Sequence, residues 1–437
     1  MKWTHSGIGN SRTRFLLALT TILLVLSLSA VAQNNYYVSP SGSDSNNGTS
    51  PGTAWKTVNH AISSFSLGSG GAVIHVADGT YSENVSVNRG GSSPTARLVI
   101  QCDNGIANAQ AAQGHCKFNG SGFAITGGGN ANNYDIRGLD IGGNPDQTVG
   151  YDGLYCGSAA QSTCNNSVHI IGNYFHDLAQ NAPLDSNGCV LLGHSPGAIL
   201  ILNQHNHFVT DTQVIGNIIF RAGLLPRSQC NTGTNGMYID TKGAIIQNNL
   251  IVQVHNWGMQ VYGEDCGQIV TNNTVITAHF GMNTTGGGEG VCTSGHNTIA
   301  NNILMNTLSN KIWGLIGCDS SHPNFIGNIV TDGIGADFDR TQLSCSTITP
   351  MVHASGSSLF VNYKTDGTGD YHLKAGSPAD AAGTILCAAG GITPCVPKVD
   401  ISALARSTKT PSIGVFEGAT SGAALPSAPT GLTAQVQ

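Results

Sequence analysis

The chain has 437 residues, of which only 10% are charged and 58 are glycine. Its 18 Lys and Arg face 24 Asp and Glu, which gives a formal net charge of −6 at pH 7. This balance lacks the basic footprint of nucleic-acid-binding proteins and argues against that class. A polyanionic ligand would therefore need a bound cation or a local basic patch.

The first 32 residues have the pattern of a signal peptide. Three basic residues precede an apolar run over 15–29, and small residues at 30–32 form a cleavage site. We predict cleavage between Ala32 and Gln33 and a secreted or cell-surface protein. Without the three basic residues of this segment, 15 Lys and Arg remain against 24 Asp and Glu, a net charge of −9. The alternative is an uncleaved anchor, and no later segment is long enough to span a membrane.

The start of the expected mature chain resembles a known family. It opens with Tyr36-Tyr37-Val38-Ser39-Pro40 and continues to Gly79-Thr80-Tyr81. These phrases are similar to the opening of extracellular right-handed parallel β-helix proteins of the pectate-lyase-like superfamily, and in particular of family-nine pectate lyases. The resemblance implies an N-terminal cap over 33–70, in which 57–64 form a short helix, followed by the first coil of a β-helix.

An asparagine that recurs inside short apolar strands indicates a repeat architecture. Its six positions follow one another at intervals of 44, 32, 24, 29 and 26 residues: Asn173, Asn217, Asn249, Asn273, Asn302 and Asn328. Periods of this size are typical of solenoids. The β-branched runs around each asparagine favour strands over helices. We therefore predict an all-β solenoid of parallel strands, in which the asparagines hydrogen-bond from coil to coil.

A glycine followed by an apolar residue recurs after the asparagine strands. The clearest positions are Gly153-Leu154, Gly236-Met237, Gly258-Met259 and Gly281-Met282. We expect each glycine to adopt the positive φ of a turn and the next residue to point into the core.

The C-terminal part also resembles the superfamily. The phrases Asp370-Tyr371-His372-Leu373 and Ile413-Gly414-Val415-Phe416-Glu417 are similar to its closing segments. We predict one β-helix with its closing segment over 71–418 and a linker-like tail over 419–437.

All 12 cysteines follow the predicted signal peptide. An even count in an exported chain predicts disulfides. The spacings suggest Cys102/Cys116, Cys156/Cys164, Cys266/Cys292, Cys318/Cys345 and Cys387/Cys395, which leaves Cys189 and Cys230. The connectivity of these last two cysteines stays open.

Equal positions in successive coils form columns, because stacked strands lie about 4.8 Å apart. Alignment on the glycine predicts an outward column of Tyr155, Tyr238, Gln260 and Asn283, and a second of Gly157, Asp240, Tyr262 and Thr285. Alignment on the asparagine predicts a column of Asp177, Arg221, Gln253, Thr277, Asn306 and Asp332. His255 and His279 each follow their asparagine by six residues, so we expect the two imidazoles to stack.

Polar and aromatic columns on a rigid wall suit a carbohydrate chain. As catalytic candidates we select Lys242, Arg221, His255 and His279. As residues that would bind substrate we select Tyr238, Gln260, Tyr262 and Asn283. Asp240, Glu264 and Asp265 are the candidate ligands of a Ca²⁺ ion.

The family resemblance implies lyase chemistry: Ca²⁺ would neutralise a uronic-acid carboxylate while a Lys or Arg takes the adjacent proton. The resembled lyases use an Asp cluster for Ca²⁺, and this chain has no Asp-Asp pair. Two alternatives remain open. Glycoside hydrolysis would use Asp240 with Glu264 or Asp265 as two carboxylates. A non-enzymatic adhesion or glycan-binding protein would use the same wall. In each case we expect a monomer whose partner is a polysaccharide.

Overall fold

The computed structural model describes most of the chain after the predicted signal peptide. The described residues are 32–120, 125–127, 131–143, 153–157, 167–181, 183–189, 197–201, 210–226, 230, 233–261, 267–283, 297–315, 324–327, 329–334, 337–341, 346–348, 351–385 and 396–418.

The described strands form three parallel faces, each of which receives one strand from successive coils. Strands are numbered in chain order. The first face contains β1 (Asn34–Val38), β2 (Ala72–Val76), β5 (Leu98–Cys102), β8 (Tyr134–Arg137), β11 (Val168–Ile171), β14 (Gln213–Ile215), β17 (Ile245–Gln247), β19 (Ile269–Thr271), β21 (Thr298–Ala300), β24 (Asn324–Gly327) and β27 (Ser346–Ile348). This pairing is parallel along its whole length, as expected for a parallel β-helix.

The second and third faces are joined by two long strands. The second face contains β3 (Thr80–Tyr81), β6 (Lys117–Phe118), β9 (Asp140–Gly142), β12 (Tyr174–Leu178), β15 (Ile218–Ala222), β22 (Ile303–Thr307), β25 (Val330–Thr331) and β28 (Val352–His353). The third face contains β4 (Val85–Val87), β7 (Ile125–Gly127), β10 (Leu154–Cys156), β13 (Gly197–Ile201), β16 (Asn235–Ile239), β23 (Ile312–Leu315) and β26 (Phe338–Thr341). β18 (Leu250–Val261) and β20 (Thr274–Asn283) pair on the second face through their first halves and on the third face through their second halves.

The predicted asparagine ladder is confirmed over five coils. Each amide nitrogen donates to the side-chain oxygen of the asparagine in the next coil, at 3.1, 3.0, 2.9 and 3.1 Å, from Asn173 through Asn217, Asn249 and Asn273 to Asn302. The same side chains are fully buried, and each also donates to a backbone carbonyl. The ladder thus satisfies a polar group at each level of an apolar core. Asn328 lies outside the described residues.

The residues after the marker glycines point inward as predicted, but the reason for the glycines is different. Met237, Met259 and Met282 are buried and pair in register. The glycines before them do not have positive φ. A Cβ at Gly236 would instead lie 2.4 Å from the carbonyl oxygen of Gly258, so the coils approach too closely there for any side chain.

The described residues include three short α-helices and one antiparallel strand pair. α1 (Val58–Ser64) begins at Thr57, whose side chain accepts a hydrogen bond from the His60 backbone, and it packs against the first strands. α2 (Ala109–Ala112) and α3 (Gly356–Leu359) are single turns, and a 3₁₀ turn spans Pro51–Thr53. β29 (Phe360–Asn362) and β30 (Asp370–Leu373) form the antiparallel hairpin. None of these helices is long and apolar enough to cross a membrane.

Two disulfides lie within the described residues. The predicted Cys102–Cys116 pair is confirmed. Cys189 pairs with Cys230, which are the two cysteines that spacing left unassigned. Cys156 is also disulfide-bonded, but its predicted partner Cys164 lies outside the described residues, as do Cys266, Cys292, Cys318, Cys345, Cys387 and Cys395.

Part of the second face is covered from outside by residues 356–385 and 396–418, here called the C-terminal cover. Its apolar side chains form a second core with outward residues of β15, β18, β20, β22 and β25. In three coils, Asn248, Asn272 and Asn301 adopt positive φ and donate to cover carbonyls at Val399, Ser412 and Thr384. Earlier coils carry glycine at this turn, at Gly138, Gly172 and Gly216. The second asparagine of each Asn-Asn pair therefore builds the inner ladder, while the first holds the cover.

Candidate functional site

A cavity of about 460 Å³ lies on the outer side of the second face, at the edge of the cover. Lys117 of β6, Asp140 of β9 and Tyr174 of β12 stand in register and line it. Strand residues alternate in direction, so their neighbours Phe118, Ile141 and Phe175 point into the core.

The cavity contains a continuous chain of charged side chains. His176 Nε2 lies 2.8 Å from Asp140 Oδ1, and His176 Nδ1 lies 2.9 Å from Asp177 Oδ2. The other oxygen of Asp177 forms an ion pair with the Arg221 guanidinium. The Gly114 backbone N–H donates to Asp140 Oδ2 at 2.6 Å. Each carboxylate is thereby held at both oxygens.

This arrangement favours the doubly protonated imidazolium form of His176, since both ring nitrogens face a carboxylate. Burial, the largest influence, lowers the pKa of His176, but the hydrogen bonds with Asp140 and Asp177 together outweigh it and raise the pKa to about 9. The Tyr174 ring stacks on the imidazole with centroids 4.9 Å apart. Burial raises the pKa of Tyr174, and both carboxylates add to that effect, so this hydroxyl keeps its proton.

Glycines allow the backbone and the imidazole to come together. Gly143 has φ +71°, and a Cβ there would lie 2.9 Å from His176 Cε1. A Cβ at Gly142 would lie 1.8 Å from the His176 carbonyl oxygen. Side chains at these two positions would therefore displace His176.

The cavity lining carries a net positive charge in an acidic protein. Lys117, His176 and Arg221 contribute three cations against the carboxylates of Asp140 and Asp177. Within the described part of the chain, the exposed Lys117 ammonium contacts no hydrogen-bond acceptor or carboxylate. It is therefore available to a ligand.

Among the residues selected from sequence, Arg221 lies in this cavity. The predicted column around it is confirmed: Asp177, Arg221, Gln253, Thr277 and Asn306 lie between matched pairs of adjacent strands and all have positive φ. Asp332 continues the column, since its Oδ2 accepts from the Asn306 backbone at 2.6 Å. The positive φ marks the bend between the second and third faces.

The predicted glycine-aligned column lies on the third face. Tyr238 pairs with Gln260, and Gln260 with Asn283. Leu200 stands between Tyr155 and Tyr238, an extra level that the glycine alignment missed because the β13 coil has Gly197 in a different spacing. Tyr238 and Gln260 are half-buried, but Asn283 is only 2% exposed, so the expectation of an open wall is wrong at that level.

The two histidines from the sequence analysis lie at the bend and are buried. His255 is fully buried, with Nδ1 3.2 Å from the Leu225 carbonyl oxygen. His279 is 5% exposed, and its ring stacks on Phe280 at 4.2 Å. A register shift between Val254 and Trp257 gives β18 one extra residue relative to β20. The direct stacking of the two imidazoles stays a prediction.

The remaining selected residues lie elsewhere. Asp240 and Lys242 follow the end of β16, on the way to the first face, and are half-buried. Tyr262, Glu264 and Asp265 lie outside the described residues. The cluster expected from sequence is therefore divided between the cavity, the bend and the third face.

Sequence reasoning missed Lys117, Asp140, Tyr174 and His176. The coil that carries Asp140 has Leu139 at the ladder position, and its backbone N–H donates to the Asn173 side chain. An alignment that starts at Asn173 cannot reach that coil or Lys117 before it. Tyr174 and His176 do lie in the Asn173 coil, but no matching residue in the later coils singled them out. The sequence signal that could have extended the alignment is the glycine before the ladder position, in Gly138-Leu139 and in Gly172-Asn173. Both glycines have positive φ in the structure.

The described residues include one compact group of potential metal ligands, Asp78 with Cys102 and Cys116. Both sulfurs belong to the disulfide, so the group does not suit a metal ion. In the cavity, both carboxylates are already paired with cations. Ca²⁺ takes six to eight oxygen ligands, so this donor set does not fit it.

Comparisons with known proteins give similarities of fold. No protein-family profile and no curated protein sequence matches the chain. Among solved structures, the chain is similar to pectate lyase Pel9A, with 14% identity and a TM-score of 0.42 over 89% of this chain and 97% of that chain. It is similar to a rhamnogalacturonan lyase, with 12% identity and a TM-score of 0.39 over 76% and 92%. It is also similar to a GH136 lacto-N-biosidase from Eubacterium ramulus, with 10% identity and a TM-score of 0.37 over 78% and 71%. The parallel β-helix itself rests on the strand pairing described above.

Proposed function

We propose that this chain acts on an acidic, uronate-containing polysaccharide, and that it does so by β-elimination at the cavity of the second face. The observation that carries the proposal is the cavity lining, with three cations against two carboxylates on a chain of net charge −6. A local excess of positive charge in a concave site attracts anionic ligands even on an acidic protein.

The residues divide between carboxylate binding and proton transfer. Arg221 would bind the sugar carboxylate, and the His176 imidazolium, whose two N–H groups are bonded to Asp140 and Asp177, would add its positive charge. Together they would stabilise the negative charge that develops when the neighbouring carbon loses its proton. Lys117 would first release its own proton to solvent and would then accept the proton of the sugar carbon. The C–H electron pair becomes the new C=C bond, the C–O bond to the next sugar breaks, and the leaving oxygen takes a proton from water or a cavity acid.

Glycoside hydrolysis is less well supported at this cavity. A hydrolase needs its two carboxylates on either side of the scissile bond, about 5–9.5 Å apart, with sugar or water between them. Asp140 and Asp177 are instead joined through the His176 ring, which occupies the space between them. The hydrolase alternative therefore depends on Asp240 with Glu264 or Asp265.

A Ca²⁺ site is proposed separately from the reaction at the cavity. Asp240, Glu264 and Asp265 remain candidate Ca²⁺ ligands, and no step at the cavity is assigned to a metal. In the cavity the cations Arg221 and His176 take the role that the family resemblance gives to Ca²⁺.

We further propose that the coil is right-handed and that residues 33–70, including α1, cap its first turn. We also propose that the signal peptide is removed after Ala32 and that the secreted protein is a monomer. Export is compatible with the described disulfides.

The decisive test is a glycan panel assayed for unsaturated uronides and for new reducing ends. Activity on polygalacturonate or another polyuronate, with ultraviolet absorbance from the new double bond, supports elimination. New reducing ends without that absorbance support hydrolysis. Binding without cleavage supports the adhesion alternative. Activity abolished by a chelator and restored by Ca²⁺ would show that the cavity cations are not sufficient.

A further inference from the structure

We infer that the cavity receives the end of a glycan chain and not its middle. This inference rests on the proposed function and concerns which part of the polymer the site accepts. A ligand in the cavity that ran on along the β-helix axis would meet β15 on one side and β3 on the other.

On the β15 side the groove is closed by the loop of the β29–β30 hairpin. Gly367 of this loop lies directly against Phe220, since a Cβ on Gly367 would be 2.0 Å from Phe220 Cε2. Thr277 Oγ1 donates to the Thr365 carbonyl at 2.9 Å and fixes the loop to the bend. Tyr371 Oη donates to the Lys364 carbonyl at 2.7 Å and holds the loop from inside the cover.

Beyond this loop the second face offers no surface to a sugar. Leu250 and Val252 are each 3% exposed and pack in the second core with Phe360 and Tyr371. The same burial continues through Ile276 and Ile303. The hairpin loop is thus the part of the cover that borders the cavity, and the covered strands continue behind it.

On the β3 side the cavity is open. β3 is the first strand of the second face, and Thr80 and Lys117 are both exposed there. Of the two directions along the β-helix axis, the described residues leave only this one open to a bound chain. The volume of about 460 Å³ lies at the small end of the 300–1,000 Å³ typical of ligand pockets, as expected for a site that holds a short terminal segment.

The test compares a short and a long polyuronate, both with the wild-type protein. If the polymer is cleaved, the inference predicts a single short product from the first minutes and a slow fall in viscosity. If the polymer is bound without cleavage, it predicts one protein per chain at saturation for both lengths, measured by sedimentation. A ladder of intermediate products, or a stoichiometry that grows with chain length, overturns the inference while the proposed function stands. Absence of both binding and cleavage overturns the proposed function and the inference with it.

A variant of the β29–β30 hairpin loop tests whether this loop is the barrier. Replacement of 363–369 by the two-residue turn Asn-Gly removes the wall and should add intermediate products or extra proteins per chain. Lys409→Ala, an exposed change elsewhere in the cover, should keep the wild-type pattern. A folded loop variant that keeps strictly terminal action would show that the hairpin loop is not the barrier.

Discussion

The outer side of the second face has two regions with the same backbone and opposite surfaces. In β6, β9 and β12 it carries Lys117, Asp140 and His176 and stays open. From β15 to β25 it carries Ile, Leu, Val, Phe and Met side chains and is buried by the C-terminal cover. Equivalent positions of one solenoid therefore either face the cavity or are covered by the C-terminal part of the same chain. The boundary lies between β12 and β15, where Tyr174 and Phe220 line the cavity and also pack in the second core.

The two regions differ in how polar groups on the outer side of the second face find their hydrogen-bond partners. In the covered region the polar atoms that remain are satisfied by the cover, as in the Asn248, Asn272 and Asn301 contacts. In the open region the charged groups satisfy one another through the His176 bridge and still leave Lys117 facing solvent. Loss of Lys117 should therefore affect ligand chemistry and leave stability unchanged, whereas loss of a polar group in the covered region should affect stability.

The largest effect is expected on activity in the open region. Lys117→Ala should lower kcat/KM on a polyuronate by about 10²–10⁴-fold, the usual contribution of a proton-transfer group, with little change in unfolding. The matched variant Lys242→Ala removes the lysine selected from sequence, which lies after β16. A loss of activity in Lys242→Ala and not in Lys117→Ala would move the base to the third face.

The covered region should respond to Arg406→Ala by a loss of stability. The buried Arg406 guanidinium pairs with Glu417 at 3.1 Å and donates to Asn248 and to three cover carbonyls. Its removal leaves a buried carboxylate unpaired, which costs about 3–5 kcal/mol. Urea unfolding measures this loss, and the exposed Lys409→Ala should change stability by less than about 0.5 kcal/mol. Equal stability of the two variants would mean that the cover contributes little.

The charge bridge in the open region predicts a dependence on alkaline pH. The pKa of His176 is raised from its ordinary 6.5 to about 9 in the folded protein. Its contribution to stability is therefore fully present below pH 6.5 and is lost as the pH rises through 9. We expect the unfolding free energies of wild type and His176→Gln to differ by on the order of 2 kcal/mol at pH 6 and to converge near pH 10. A constant difference across this range would contradict the imidazolium bridge.

Alanine substitutions at two glycines should have a smaller effect, and they separate backbone strain from contact with His176. Gly143 and Gly216 have φ of +71° and +67°, but only Gly143 has the His176 ring within reach of a Cβ. Both alanine variants should lose about 1–2 kcal/mol from the left-handed backbone. Gly143→Ala should in addition lower the pKa of His176, observed by NMR titration. The same His176 titration in both variants would mean that the ring does not need this glycine.

The inner fold could be predicted from sequence because its residues repeat from coil to coil. The site was missed because its residues do not repeat. The ladder from Asn173 to Asn302 and the inward methionines recur in register, so the sequence alone identifies them. Lys117 and Asp140 of the cavity lie in coils before the first ladder asparagine, where Leu139 breaks the pattern, and His176 has no counterpart in the later coils. The cover has no period, and its contacts join residues far apart in the chain, such as Asn272 and Ser412, which are 140 residues apart. One local signal existed: Ile218-Ile219-Phe220 is apolar on both sides of the strand, which indicates burial of both faces.

The central claim is that the cations of the open region recognise a sugar carboxylate. The most direct test follows the imidazole signals of His176 by NMR, assigned with His176→Gln, during titration with trigalacturonate and with a neutral trisaccharide of the same length. The account predicts that trigalacturonate shifts the His176 signals, that the neutral sugar does not, and that buried His255 is unaffected by both. Unchanged His176 signals at saturating trigalacturonate, or equal shifts with the neutral sugar, would contradict it.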